Sequence, residues 1–533
     1  MKRIGFLALG LFAFAASAGA QTMYDGLTLS ENNYNGTARS IGLGNALTAV
    51  GGDLGSLTLN PAGGSVAGYS QFTITPNLSI SSIKSVGADG LGDETSTQHT
   101  RFNLYNVGMV ANLDTGNSYG IKNFSFGFVA NSSSNFLGEM YASGINSNTS
   151  FMGEMAVLAD GWASSVLNGN YAYENSQAPW RAVLGYQSGM ISTYGSNTDK
   201  YVGATEAVFD DGSIGLAGDI RQEYGRLITG NKTDWLFNGA MNIGDVLHLG
   251  LNLGLVSANY RNDAYLKETA VDPADFAFTY DDGTVNSFDS ARYRETLRWD
   301  VSGVYAKFGF ILTPGAGLRL GAAIQTPTAL TINERYQVDG YTHFTNSSAN
   351  AKSSSPENEY SYRLTTPFRF NVGAAWSALG VLLVSADYER CNYSSMRFRP
   401  SDDYEDRNLY SGVNSDISTY MGVSQIFRAG LEVKPLPAIA LRVGYNYLSN
   451  PQKDNNLDYV DSHRQSVALG LGYSSSGSFF ADFALRRTTL PDEYVYPYPD
   501  YITDDAGNVT VFTPEVHNTR DLWDITCTLG WRF

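Results

Sequence analysis

Cysteine is almost absent from this chain, with two in 533 residues. That count excludes a disulfide framework and any cysteine-rich zinc or iron–sulfur centre. Histidine is nearly as scarce. The five (His99, His248, His343, His463 and His517) stand apart, with no metal-ligand spacing among them. Charged residues make up only 16 %, against about 25 % in an ordinary soluble domain. The net charge of −17 argues against a nucleic-acid binder, which neutralises phosphates with a basic stripe. After the first twenty residues no run of about 18 apolar residues occurs, so no helix spans a bilayer. No G-x-S-x-G elbow supports a hydrolase. The expectation is a protein with no catalytic residues, no metal and no cofactor.

What is abundant is glycine (56), tyrosine (34) and aromatic side chains in general, at 13 %. Apolar residues reach 43 %, yet the mean hydropathy is −0.20. The apolar content is therefore spread out rather than gathered in blocks. Residues 1–20 are the exception. Lys2 and Arg3 precede an apolar run from Ile4 to Ala16, and Ala18-Gly19-Ala20 forms an A-x-A cleavage site. This is a signal peptide of bacterial form, with a mature chain starting at Gln21.

The body alternates. Trp523, Ile525, Cys527, Leu529, Trp531 and Phe533 share one strand face, with polar or small residues between them. Leu247 to Leu255 alternate with His248, Gly250, Asn252 and Gly254, and Phe368, Phe370, Val372, Ala374 and Trp376 do the same. Strict period-two alternation means strands with one face in an apolar medium. The second face carries Gly, Ala, Asn and Ser with scattered charges, which suits the wet, crowded lumen of a barrel better than a water-facing sandwich. A final aromatic residue on the apolar face resembles the terminal strand of bacterial outer-membrane barrels. That resemblance implies outer-membrane lipid, lipopolysaccharide and the barrel-assembly machinery as partners.

Short connections such as 243–245, 314–317, 378–380, 435–437 and 475–477 alternate with long polar stretches. That is the asymmetry of short periplasmic turns and long outer loops. Fourteen strands are expected, near 70–84, 101–113, 121–133, 228–242, 246–260, 296–312, 318–334, 360–377, 382–397, 422–434, 438–450, 463–474, 478–490 and 519–533. Residues 134–227 are read as one long extracellular loop with a short helix over Glu154–Leu167. A strand at Pro179–Tyr186 is the alternative, and two more strands there would give sixteen.

Residues 21–69 are far more than a barrel needs as a tail. Arg39-Ser40-Ile41-Gly42-Leu43-Gly44-Asn45-Ala46, followed by Asn60-Pro61-Ala62-Gly63, resembles the N-terminal hatch of the FadL/TodX-type outer-membrane transporters. Leu318–Thr328, Thr366-Pro367-Phe368-Arg369 and Ser385–Glu389 are also similar to that family. The resemblance implies an all-β transmembrane barrel of fourteen antiparallel strands (70–533) around a hatch or plug (21–69). It implies passive uptake of hydrophobic small molecules such as long-chain fatty acids across the outer membrane of a Gram-negative bacterium. Plug rearrangement and lateral exit through a gap at a kinked strand are implied with it. Arg39, Gly42, Gly44, Asn45, Asn60, Pro61, Ala62 and Gly63 would form the plug and gate, with Asn60-Pro61-Ala62 facing the gap. Some relatives serve protein secretion as shuttles, and a structural or adhesive surface protein is a further reading.

Two sets of residues are candidates for ligand contact. Apolar residues in an outer loop need a reason, either capture of a ligand or mutual packing. Phe136, Leu137, Met152, Met155, Leu158 and Trp162, with Val157, Val166 and Leu167 beside them, are the expected capture patch. On the inward register Arg369, Arg428 and Arg442 could meet a carboxylate. The bland alternative is pairing with Asp387, Glu389 and Glu432 on the same register.

Overall fold

The computed structural model describes residues 21–88, 90–279, 283–402, 406, 408–453, 463–503 and 509–533, so the signal peptide lies outside the described residues. β1 (Gln71–Ala88), β2 (Glu94–Asp114), β3 (Ile121–Asn146), β4 (Ile220–Ile243), β5 (Leu247–Ala270) and β6 (Val285–Gly315) form six antiparallel staves in chain order. The next two staves are each in two pieces. β7 (Leu318–Gln325) continues as β8 (Ala329–Phe344), and β9 (Asn358–Thr365) continues as β10 (Arg369–Ala378). β11 (Leu382–Asn392) carries a short outer piece, β12 (Arg397–Pro400). β13 (Val423–Leu436), β14 (Ile439–Ser449), β15 (His463–Ser474), β16 (Phe479–Val495) and β17 (Glu515–Arg532) complete the wall. β1 pairs with β17 from Gln71↔Arg532 to Ala88↔Glu515, closing a barrel of fourteen staves.

The alternation seen in the sequence is the reason for closure. Leu251, Leu253 and Leu255 are 56, 48 and 42 % exposed, while Asn252 and Gly254 between them are buried. The same holds for Leu441 and Val443 about Arg442, and for Trp523 and Ile525 about Asp524. A continuous outer band of exposed Leu, Phe, Val and Trp is stable only in hydrocarbon, and closing the ring pairs the first strand with the last there. The barrel is therefore a transmembrane one.

All fourteen expected strands are present, but several run further than expected. β3 continues to Asn146, β4 begins at Ile220, β5 reaches Ala270 and β6 begins at Val285. These extensions fall inside stretches read as loops. Their outward residues are polar (Arg261, Asp263, Lys267), so the apolar signal stops while the backbone ladder continues.

Before β1 the chain occupies the inside of the ring. α1 (Met23–Ser30), α2 (Ala38–Gly42), α3 (Ser56–Leu59) and a 3-10 turn over Pro61–Ser65 are linked by tight bends. Ala38, Ile41, Leu43, Leu47, Leu54 and Leu59 are all essentially inaccessible. The wall makes room by having no side chain where the segment touches it. A Cβ on Gly444 would lie 2.0 Å from the Gly44 nitrogen, and one on Gly250 would lie 2.3 Å from the Ala62 nitrogen. The small-residue face of the strands thus fits a filled lumen. Gly44 has φ +62°, and a Cβ there would strike the Tyr445 backbone at 2.6 Å, so glycine is required on both grounds.

Above the wall, residues 147–219 fold into a cap. Ser150 caps α4 (Phe151–Ala159), accepting from the Met152 amide at 3.1 Å. A one-turn helix follows at Ser164–Leu167, so the expected helix over Glu154–Leu167 is divided at Asp160-Gly161. Pro179–Tyr186 is not a strand. α5 (Trp180–Gln187) starts directly after Pro179, and Ala182, Val183 and Leu184 pack into the cap core. An eight-residue apolar run does not distinguish buried helix from buried strand, and here the helix is the outcome.

Candidate functional site

The wall is interrupted between β2 and β3. Their ladder runs from Asp114↔Asn123 up to Asn106↔Asn131 and stops there. Above that point β2 pairs only with β1, and β3 pairs only with β4. Both strands are bulged at this point: β2 carries an extra residue at Tyr105 and β3 one between Ser132 and Ser134, and the two bulges part the strands. Further out the two strands meet again through side chains. Thr95 and Thr97 donate to the carbonyls of Tyr141 and Glu139, and His99 Nδ1 lies 2.9 Å from Glu139 Oε2. The result is a window. On its outer side Phe102 and Leu104 are 69 and 49 % exposed.

The N-terminal segment fills the notch. The Asn33 amide donates to the Ser133 carbonyl at 2.6 Å. The Asn33 and Asn35 side chains reach the Ser134 and Ser132 hydroxyls at 3.5 Å. Asn103 and Asn135 both donate to Ser79 Oγ, at 3.2 and 3.0 Å. The Ser133 carbonyl, freed by the missing ladder, is therefore satisfied by the interior segment, while Ser79 of β1 bridges the two lips of the break.

Asn60-Pro61-Ala62 does not face this window, contrary to the expectation. Asn60 Nδ2 donates to the Phe310 carbonyl at 2.9 Å and the Thr48 carbonyl at 2.7 Å, and Asn238 Nδ2 donates to the Pro61 carbonyl at 2.9 Å. Those wall partners lie on β4 and β6. Gly250 and Gly309 leave a flat seat there that no other side chain could share. Gly63 and Ala62 belong to the same 3-10 turn.

The other residues expected in a plug contact other staves or one another. Arg39 pairs with Glu432 at 3.2 Å. Glu432 also holds Arg442 at 2.6 Å, which pairs with Asp482 at 2.6 Å. Gly42 lies against Gly470, and Asn45 accepts from Ser40 at 2.7 Å. Arg369 and Arg428 share Glu389, which also accepts from Tyr34 at 3.0 Å. Arg369 further donates to the Ser30 carbonyl, and the Asp387 carboxylate accepts from the Thr48 amide at 2.8 Å. The lumen arginines Arg369, Arg428 and Arg442 are thus all ion-paired, and their clusters fasten the N-terminal segment to the wall. A void beside Arg369, reaching Lys232 and Thr366, measures about 10 Å³, enough for a single water.

The apolar candidates separate into two groups. Met152 and Met155 are fully buried with Phe151, Leu184 and Met190 in the cap core, and Leu158 and Trp162 pack on its edge. Their close contacts are with one another: Met155 meets Gly185, where a Cβ would lie 3.1 Å from its sulfur. The exposed outer apolar patch expected from these residues is instead a closed core. Val157 and Val166 remain exposed. Leu137, 5 % exposed, and Phe136 lie on β3 above the bulge.

Phe136 begins a row that sequence reasoning missed. At one height across the wall the paired residues are Phe136, Gly230, Tyr260, Trp299 and Glu334. The Phe136 ring meets Tyr260 edge-on at 5.3 Å, and Tyr260 stacks on Trp299 at 4.3 Å. Gly230 has no side chain to separate them. Trp299 Nε1 and Tyr362 OH donate to Glu334 at 3.0 and 2.9 Å. The row leads inward from the window over Met23 and Leu27 of α1. Inward aromatics at Tyr260 and Trp299, directly opposite each other at the ends of two expected strands, were the signal available in the sequence.

No protein-family model matches the chain, and no curated protein matches it. Among solved structures, the P. putida toluene transporter TodX is similar over 94 % of this chain and 99 % of its own, with 12 % identity and a TM-score of 0.49. A FadL homologue from Pseudomonas aeruginosa covers 94 % and 98 %, with 13 % identity and a TM-score of 0.46. The CymD monoaromatic hydrocarbon channel covers 93 % and 98 %, with 11 % identity and a TM-score of 0.43.

Proposed function

We propose that this protein is an outer-membrane channel for passive uptake of hydrophobic small molecules, long-chain fatty acids foremost, with lateral exit into the bilayer. The observation that carries the reading is the window between β2 and β3, whose notch is filled by Asn33 and Asn35 of the interior segment. A ring whose interior is occupied by the buried segment before β1 and its ion clusters does not suit a general porin. The aromatic row from Phe136 to Trp299 offers an apolar surface leading to the window. In this reading residues 31–35 block the path at rest. Movement of that stretch, with the ion clusters at Glu389 and Glu432 holding the rest of the plug, would connect the row to the hydrocarbon beside Phe102 and Leu104.

The test is uptake of labelled oleate by cells with and without the protein, and with Tyr260→Ala. Uptake should require the protein and fall severalfold in the variant. A monoaromatic hydrocarbon is the second ligand class to try. Equal oleate and toluene uptake with and without the protein, while secreted proteins are lost on its deletion, would turn the reading toward a secretion shuttle.

A further inference from the structure

Arg101 stands on β2 above the point where its ladder to β3 stops, opposite Ser79 of β1. It shares the inward register of the buried Ser79, between the exposed Thr100 and Phe102. Arg101 Nη1 donates to the Gly230 carbonyl of β4 at 2.8 Å, so the side chain crosses the window and passes β3. Gly230 belongs to the aromatic row, between Phe136 and Tyr260. Its φ of +140° is one that residues with a Cβ rarely adopt, and a Cβ there would lie 2.2 Å from the Asn259 carbonyl oxygen. The guanidinium thus ends where the apolar row meets the opening.

No carboxylate lies within ion-pair distance of Arg101 among the described residues. Acidic groups around the window are engaged elsewhere. Glu139, further out on β3, meets His99 at 2.9 Å, and Asp524, opposite Ser79 on β17, is held by Arg486 at 2.6 Å. The lumen arginines Arg369, Arg428 and Arg442 differ, since each has its carboxylate. A guanidinium carries five N–H donors, and one neutral carbonyl does not return the cost of withdrawing the charge from water. A carboxylate does, through two parallel charge-assisted hydrogen bonds.

We infer that Arg101 is the head-group receptor of the window and selects ligands that end in a carboxylate over neutral ligands of the same length. The chain of such a ligand lies against the Phe136 and Tyr260 rings, while its head group meets the guanidinium donors that the Gly230 carbonyl leaves over. A neutral ligand has no charge to offer there and gains nothing from the arginine. The inference rests on the channel reading above and adds a chemical class to it.

The experiment compares protein-dependent uptake of labelled oleate and labelled methyl oleate, which share a chain and differ in charge, by cells carrying the full-length protein. The natural chain should take up the acid at least about tenfold faster than the ester. Arg101→Met keeps an unbranched side chain without the charge, and should lower oleate uptake about tenfold while leaving methyl oleate unchanged. Arg101→Lys keeps the charge and should restore part of the oleate uptake. Heat-modifiable gel mobility checks that each variant folds. If Arg101→Met does not, the acid-over-ester preference of the natural chain, and its reduction in Arg101→Lys, decide the matter. Equal uptake of acid and ester by the natural chain overturns the inference, as does an Arg101→Met that loses neither ligand. Loss of both ligands in Arg101→Met would make Arg101 a structural tie between β2 and β4 and overturns it too. A natural chain that carries neither ligand sinks the channel reading itself, whereas one that carries both equally sinks the role of Arg101 alone.

Discussion

The wall shows two kinds of break, and they are mended differently. Between β2 and β3 the ladder ends at facing bulges, and the Ser133 carbonyl is met by the Asn33 amide of the separate interior segment, with the Asn33 and Asn35 side chains beside the Ser134 and Ser132 hydroxyls. Between β7 and β8, and between β9 and β10, prolines remove backbone donors, and the wall repairs itself. The Ala306 amide donates to Thr326 Oγ1 at 3.1 Å, and the Thr328 amide donates to Thr366 Oγ1 at 2.9 Å. The Thr326 and Thr366 amides still reach the Ala306 and Thr328 carbonyls at 2.9 and 3.0 Å. An interruption sealed by hydroxyls of the same strands stays sealed. One sealed by a different segment opens whenever that segment moves. The difference separates a candidate port from a sealed seam.

The largest expected effect comes from pinning the movable seal. Asn33→Cys with Ser133→Cys should cross-link the segment to the bulge and lower oleate uptake at least about tenfold, with recovery on reduction. Undiminished uptake in the cross-linked protein would show that the β2–β3 window is not the route. Deleting Ser133 removes the bulge residue and lets the β2–β3 ladder extend. Uptake should fall severalfold while the folded barrel keeps its gel mobility.

The self-mended break should respond in stability and not in transport. Thr366→Val leaves the Thr328 amide without its acceptor and should cost about 1–3 kcal/mol in unfolding free energy, with uptake unchanged. If uptake instead changed as much as in the Ser133 deletion, the contrast between the breaks would collapse.

The smallest effect concerns α1, at the top of the interior segment. Burial raises the Asp25 carboxyl from 3.8 to about 6, against its hydrogen bonds from Thr22. A carboxyl whose folded pKa is raised binds its proton more tightly when docked. Docking of α1 is thus weakest above about pH 6 and tightens as pH falls through 6 toward 3.8. Amide exchange over Met23–Ser30, corrected for intrinsic rate, should slow as pH is lowered across this window. Asp25→Asn should flatten the dependence, and a natural chain already flat would remove Asp25 as the cause.

Much of the wall was legible in the sequence. Leu247–Leu255 and Trp523–Phe533 alternate without exception, and one period-two face of Leu or Trp against Gly and Asn admits little but a strand between two media. The extensions past Tyr260 and before Thr296 were not legible, because both faces are polar or mixed once the strand leaves the apolar band. The apolar run around Met152 and Met155 announced burial but not its partner, and the cap core turned out to be that partner. Arg369, Arg428 and Arg442 were correctly placed on the inward face, yet their pairing with Glu389, Glu432 and Asp482 depends on which staves are neighbours.

Local alternation was enough to identify two-faced strands and the face of each that meets hydrocarbon, while fourteen and sixteen staves both stayed open until residues 147–219 were seen to fold as a cap. The two faces are a property of local period and composition, readable one segment at a time. Only the tertiary structure decided where the wall opens. The window depends on extra residues at Tyr105 and near Ser133 and on Asn33 lying opposite the latter a hundred positions away, and the seat of Asn60-Pro61-Ala62 depends on glycines from two different strands. Contacts across a closed ring are set by register and closure together, and no local pattern in the chain carries that information.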